Sequence, residues 1–433
     1  MASFEYNRAW GVILPVLFLI SSNSPSWVLG APQVPCYFIY GDSLADNGNN
    51  NNLETQAKAN YPPYGIDFPD KATGRFTNGH TSIDIIAGLL GFDRYIQPFA
   101  SAKGSEILIG VNYASGGAGI RDETGQQLKM TSFFGVRLKL KNELNSIFHL
   151  FEEQKFLTED LNTITEGPST AFVDLSLRVR IRDPMSGIQA WPLWTYLLHA
   201  LPTGRSNKLE PSIAKPFGHN LARQRHVGIE CYGILKRVHI HGMGSNDYIN
   251  NYFMPDVYQT GKLYMPEQYA DVLIKQYQQQ LKTLYSYGAR KVAIFGLSVI
   301  GCAPTKISRF GTNGSLCVDK INSAVMLLND RLKPLVDELN RNLADAKFTY
   351  IDFFGIAIAG LPVLRVASST CCKVRESGLC IPFETPCSIR LLHAFYDGFH
   401  PTEIVNLVFG ARAYTALLSS DAYPFDIHHL AMI

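Results

Sequence analysis

The chain predicts an α/β protein built around a mainly parallel sheet, and three observations carry that expectation. Short apolar strands alternate with amphipathic helices along its 433 residues, the order that lays helices on the faces of a parallel sheet. The hydrophobic share is 46%, ample for a buried core and unlike disordered or low-complexity sequence. Beyond residue 30 no segment holds the run of about 18 apolar, uncharged residues that a membrane-spanning helix needs. Functional loops of such folds gather at the carboxyl ends of the strands, which directs the search for a site.

The elements follow in order. Arg8 precedes an apolar run from Trp10 to Ile20, then a polar stretch from Ser21 to Ser26 and the small residues Gly30 and Ala31. That run is too short to cross about 30 Å of hydrocarbon, so residues 1–30 read as a secretory signal peptide and 31–433 as one domain. A buried N-terminal helix is the competing reading. Cys36 to Tyr40 forms a short apolar strand that stops at Gly41, with Asp42 and Ser43 on the following turn. Thr81 and Asp84 have the spacing of a capping box, opening a helix that runs through Ile85, Ile86, Leu89 and Leu90 to Gly91.

The alternation returns after a gap. Val272, Leu273, Leu281 and Leu284 mark a helix from Tyr269 to Tyr287, stopped at Gly288, and Lys291 to Phe295 is the next strand. Val325, Leu328, Leu332, Leu335 and Leu339 recur at helical steps, with a kink expected at Pro334, before the strand from Phe348 to Ile351. Between about 158 and 230 the pattern breaks: Pro184, Pro192, Pro202, Pro211 and Pro216 interrupt it, and Trp191 and Trp194 lie within it. Structureless loops beyond about 15 residues are uncommon in compact domains, so this segment is expected to be an atypical insertion, whether a lid, a disordered stretch or sequence foreign to the fold.

Charge excludes several partners. With 39 Lys and Arg against 37 Asp and Glu the net charge is +2, without the basic excess that nucleic acid or an anionic membrane surface selects. All eight cysteines lie past the leader, and an even number in an exported chain predicts disulfides, whose pairing the spacing leaves open. A zinc cluster of Cys371, Cys372, Cys380 and Cys387 competes, although these lack the paired C-x-x-C form. Asn313-Gly314-Ser315 is a possible glycosylation site if its loop is exposed.

Common catalytic and nucleotide motifs fail. Gly296-Leu297-Ser298-Val299-Ile300 lacks the second glycine of a nucleophile elbow, and Gly116-Gly117-Ala118-Gly119 meets Asp122 where a dinucleotide fingerprint needs its last glycine. What remains is Gly41-Asp42-Ser43-Leu44 after the first strand and Asp397-Gly398-Phe399-His400 near the C-terminus. An Asp three residues before a His sits on the same side of a helical turn, where its carboxylate can hold Nδ1 and leave Nε2 to deprotonate Ser43. A merely local capping interaction of Asp397 is the alternative.

Four separated blocks, in order, resemble the plant GDSL esterase/lipase family of the SGNH hydrolase superfamily. They are Phe38 to Asn49, Gly110 to Ile120, Gly244-Ser245-Asn246-Asp247-Tyr248, and Asp397 to Glu403. Thr73 to Gly79 and Tyr252 to Asn342 extend the likeness over most of the mature chain. The resemblance implies a three-layer α/β/α flavodoxin-like SGNH hydrolase fold, with Ser43 as nucleophile, His400 as base and Asp397 orienting it. It further implies an oxyanion hole from the Ser43 and Gly117 N–H groups and the Asn246 side chain. The expected activity is hydrolysis of carboxylic esters through an acyl-enzyme by a secreted protein, on small-molecule or polymer-linked esters and with no metal or organic cofactor. A secreted binding protein that keeps the fold but not the chemistry is the alternative. The chain departs from the family at Val299, where proline is common, at Tyr396, where tryptophan is common, in the long segment at 158–230, and in a short stretch before Cys371.

Overall fold

The computed structural model describes residues 31–128, 237–360 and 366–433. The expected leader, the segment at 158–230 with its two tryptophans, and Cys231 lie outside these residues. The described strands are β1 (Tyr37–Gly41), β2 (Val238–Gly242), β3 (Lys291–Phe295), β4 (Lys347–Ile351), β5 (Val366–Thr370), β6 (His393–Phe395) and β7 (Ala422–Tyr423). The principal helices are α1 (Ser82–Leu89), α2 (Pro266–Ser286), α3 (Pro304–Phe310), α4 (Asp319–Asn342), α5 (Phe353–Gly360), α6 (Glu403–Tyr414) and α7 (Ile427–Met432).

β1 to β4 lie side by side and parallel, with β7 antiparallel on the β4 edge. Tyr37 faces Val238, Val238 faces Lys291 and Lys291 faces Lys347, so the strands start in step and their carboxyl ends finish level. An extended segment runs along the outer edge of β1: the Ile39 N–H donates to the Val111 carbonyl, and the Tyr113 and Ser115 N–H groups donate to the Ile39 and Gly41 carbonyls. Counted as the second strand, it gives the spatial order 2-1-3-4-5 of the flavodoxin-like doubly wound sheet. No strand was legible there, because Asn112 and Ser115 interrupt the apolar run that would mark one.

The period-two alternation of the strands feeds two cores. Tyr37, Ile39, Val238, Ile240, Ala293 and Phe295 face α1, α5, α6 and α7, while Phe38, Tyr40, Val292, Ile294, Phe348 and Tyr350 face α2 and α4. Helices on both faces make the three-layer α/β/α architecture. α1 begins at the expected capping box, with Thr81 accepting the Asp84 N–H and Asp84 accepting the Thr81 N–H. α4 is one continuous helix from Asp319 to Asn342, Pro334 included, where the sequence predicts a kink. Its buried stripe of Leu328, Leu332, Leu335 and Leu339 stays in phase on both sides of the proline, and packing on the sheet holds it there.

Disulfides join Cys302 to Cys317, Cys371 to Cys387 and Cys372 to Cys380, and Cys36 is also disulfide-bonded. The four cysteines weighed as zinc ligands are therefore spent on each other. Among the described residues no helix is long and apolar enough to cross a membrane.

Candidate active site

Three chain segments far apart in sequence meet where β1 and β2 end. β1 runs into a tight turn in which the Ala45 and Asp46 N–H groups donate back to the Asp42 carbonyl, and Asp42 Oδ1 accepts the Leu44 N–H. That turn lifts Ser43 clear of the strand. Asp42 itself is buried, and the loss of water raises its carboxyl to about 6, against the Leu44 N–H and His400, which lower it. Below the turn lies a cavity of about 30 Å³, bordered by Asp42, Ser82, Ser245 and Phe353.

His400 arrives from the other end of the chain. Its Nε2 lies 2.8 Å from Ser43 Oγ, across a sequence separation of 357. Its Nδ1 lies 2.8 Å from Asp397 Oδ2 and 2.9 Å from Oδ1. The sequence places this pair on a helical turn; in the structure residues 396–399 form a bend, closed by the Tyr396 N–H donating to the His400 carbonyl at 2.8 Å. Asp397 Oδ1 accepts the Phe399 and His400 N–H groups at 2.9 and 2.8 Å. The local capping interaction and the contact with the imidazole are thus both present on one carboxylate. Phe76 packs against the imidazole with ring centroids 4.8 Å apart.

Asn246 is hydrogen-bonded to Ala118, the residue after Gly117. Gly117 has φ +86°, a conformation that glycine adopts without strain. Among the described residues the Ser43 and Gly117 N–H groups donate to no protein acceptor. Asn246 Nδ2 gives one proton to the Ala118 carbonyl at 2.8 Å, and Asn246 Oδ1 accepts from Asn250 at 2.6 Å, which fixes the amide next to Gly117 with its second proton uncommitted among the described residues. Asn313 stands apart, exposed in the loop between α3 and α4.

Two buried aspartates without an assigned role in the sequence hold this arrangement. Asp46 accepts the Gly48 and Asn49 N–H groups at 2.8 Å and the Gly116 N–H at 2.9 Å, tying the first loop to the second. Asp247, next to Asn246, accepts the Ile120 N–H at 2.7 Å, the Arg121 N–H at 2.9 Å and the Thr124 hydroxyl at 2.8 Å. Burial raises both carboxyls to about 6, against the N–H groups that stabilise their charge. Both lie in the quoted blocks; a carboxylate in a run bound for burial was the signal available.

Val299 and Tyr396, the two single-residue departures, are both buried. The Tyr396 hydroxyl donates to the Pro63 carbonyl at 2.5 Å, which anchors the ring.

A level parallel sheet, a crevice at its strand ends and a hydrogen-bonded serine, histidine and aspartate are together the marks of a hydrolase. Comparison with known proteins narrows the class. The sequence profile of the GDSL-like lipase/acylhydrolase family matches residues 37–176 and 233–412. The chain is 40% identical over 410 residues to the GDSL esterase/lipase At5g45670 of Arabidopsis thaliana, covering 93% of each. It is 37% identical over 438 residues to At1g29660 of the same plant, covering 99% of this chain and 100% of the relative, and 38% identical over 413 residues to At4g18970, covering 94% of each. The chain belongs to the GDSL lipase/acylhydrolase family, which makes it a hydrolase of carboxylic esters.

Proposed function

We propose that the protein is a secreted serine esterase working through an acyl-enzyme on Ser43. The observation that carries this reading is the 2.8 Å contact between Ser43 Oγ and His400 Nε2, with Nδ1 held by Asp397. Ser43 Oγ attacks the ester carbonyl while Nε2 takes its proton. The oxygen that becomes negative is met by the Ser43 and Gly117 N–H groups and the free Asn246 amide proton, fixed donors that need no reorganisation as charge develops. Collapse of the tetrahedral adduct expels the alcohol, which takes the proton from His400. Water then attacks the acyl group, with His400 again the base, and returns Ser43 free.

Export is supported by the leader-like residues 1–30, by the disulfides Cys302–Cys317, Cys371–Cys387 and Cys372–Cys380, and by the exposed Asn313 sequon. We read part of the segment at about 158–230 as an extension that related enzymes lack and that derives from translated intron sequence; the family profile matches through residue 176 and resumes at 233. Peptide mapping of protein from its native source is expected to recover no peptide containing Trp191 or Trp194; recovering one would refute the intron origin.

The catalytic reading is tested by fluorophosphonate labelling beside Ser43→Ala, with short-chain and long-chain nitrophenyl esters as substrates. Labelling and turnover are expected to vanish together in the variant, and the ratio between esters to sort acyl length. A folded wild-type protein that neither labels nor turns over any ester would instead favour a binding protein that retains the fold.

A further inference from the structure

Asp397 Oδ2 has a second partner that the catalytic blocks do not contain. The Tyr64 hydroxyl donates to it at 2.5 Å across 333 residues of sequence. Tyr64 is fully buried, its ring lies 6.1 Å from Phe76 and 5.8 Å from Tyr396, and its hydroxyl oxygen accepts the Cys380 N–H at 3.1 Å. That last bond settles which way the phenol points: with its oxygen occupied as an acceptor, its one proton is free for Asp397. Cys380 is tied by its disulfide to Cys372, whose N–H donates to the Tyr396 carbonyl, immediately before Asp397. Tyrosine and aspartate are therefore held from both sides by one short loop.

We propose that Tyr64 is a positioning residue of the active site, holding the Asp397 carboxylate in register and setting how strongly it pulls on the His400 Nδ1 proton. The proposal rests on the Ser43, His400 and Asp397 reading above. Burial, then the Asp397 charge, push the Tyr64 phenol well above its ordinary range, so it remains a proton donor at any working pH. A carboxylate that receives this bond is a weaker partner for the imidazolium than one without it. The phenol thus tempers the base while fixing its angle. Other titratable groups facing the pair are Asp42, Tyr61, Tyr396 and, over the Phe399 ring, Lys306. Phenylalanine at 64 keeps the ring against which Tyr61 and Tyr396 pack.

The test is Tyr64→Phe, which deletes one hydroxyl. Turnover is expected to fall about tenfold with KM little changed, the scale of one charge-assisted hydrogen bond felt in the transition state. The acid limb of the pH–rate profile should move up by about half a unit, because the uncompensated carboxylate stabilises the imidazolium. Tyr64→3-fluorotyrosine, a stronger donor of nearly the same shape, should move that limb the other way, and it carries the test if the phenylalanine variant fails to fold. A limb that stays put in both variants, whatever happens to the melting temperature, would overturn the proposal. Ser43→Ala run alongside separates the two levels: undiminished turnover there would remove the catalytic reading itself.

Discussion

His239 shows how a single residue can set the response of the fold to pH. It sits in β2 stacked against Phe38 and Tyr40, with ring centroids 5.2 and 6.2 Å away, and among the described residues neither ring nitrogen has a hydrogen-bond partner. Burial, with Arg237 and His241 adding to it, pushes its pKa down to about 3. The unfolded chain would take up a proton near the ordinary 6.5, which the folded chain refuses, so the stability contributed by this group is present above 6.5 and is lost as pH falls toward 3. His239→Phe keeps the stacking and removes two unsatisfied buried atoms, so it should stabilise by about 1 kcal/mol or more. Urea unfolding at a series of pH values should also show the variant less sensitive to acid; equal acid sensitivity would contradict this account. Sequence gave no hint of it, since a histidine in an apolar strand looks the same whether its nitrogens are bonded or bare.

At the scale of elements, α6 is joined to the residue just before β7 by an ion pair sealed inside the protein. Arg412 Nε and Nη2 reach the two Asp421 oxygens at 2.9 and 2.5 Å, with side chains only 3% and 1% exposed. Asp421 Oδ2 also accepts the Leu417 and Leu418 N–H groups, which closes the chain between the two elements. Asp421→Asn leaves a guanidinium buried without its countercharge and should cost about 3–5 kcal/mol, whereas replacing both partners with apolar residues should cost less. Chemical denaturation of the single and double variants measures both. Strands with uninterrupted apolar runs, such as Lys291 to Phe295, were legible to the residue, and α1 was legible from its capping box. The edge segment at 111–115 was not, because three backbone hydrogen bonds to β1, rather than side-chain pattern, make it part of the sheet.

For the molecule as a whole, the sequence pointed to Ser43, Asp397 and His400, which the structure joins by hydrogen bonds, but not to what makes them meet. With Gly117 and Asn246, each sits in a short block of unusual composition, and a resemblance carried by four ordered blocks proposed them for one site. The supports were harder to see. Tyr64 bonds a partner 333 residues away, and nothing local distinguishes such a phenol from one on the surface; Asp46 and Asp247 showed only as carboxylates in runs bound for burial, with their partners in other loops unseen. Sheet topology supplies what pattern lacks: strands that end level turn loops remote in sequence into neighbours in space.

The separation of 357 residues between Ser43 and His400 has a consequence for how the protein is made. Chains emerge from the ribosome N-terminal end first. On the proposed mechanism and route, the serine is therefore synthesised and exported long before its base exists to activate it. Throughout that interval the nascent chain would carry a silent hydroxyl, and competence would arrive only when the last block folds back onto the first. On that reading, order of synthesis by itself keeps the unfinished enzyme from acting on esters it passes.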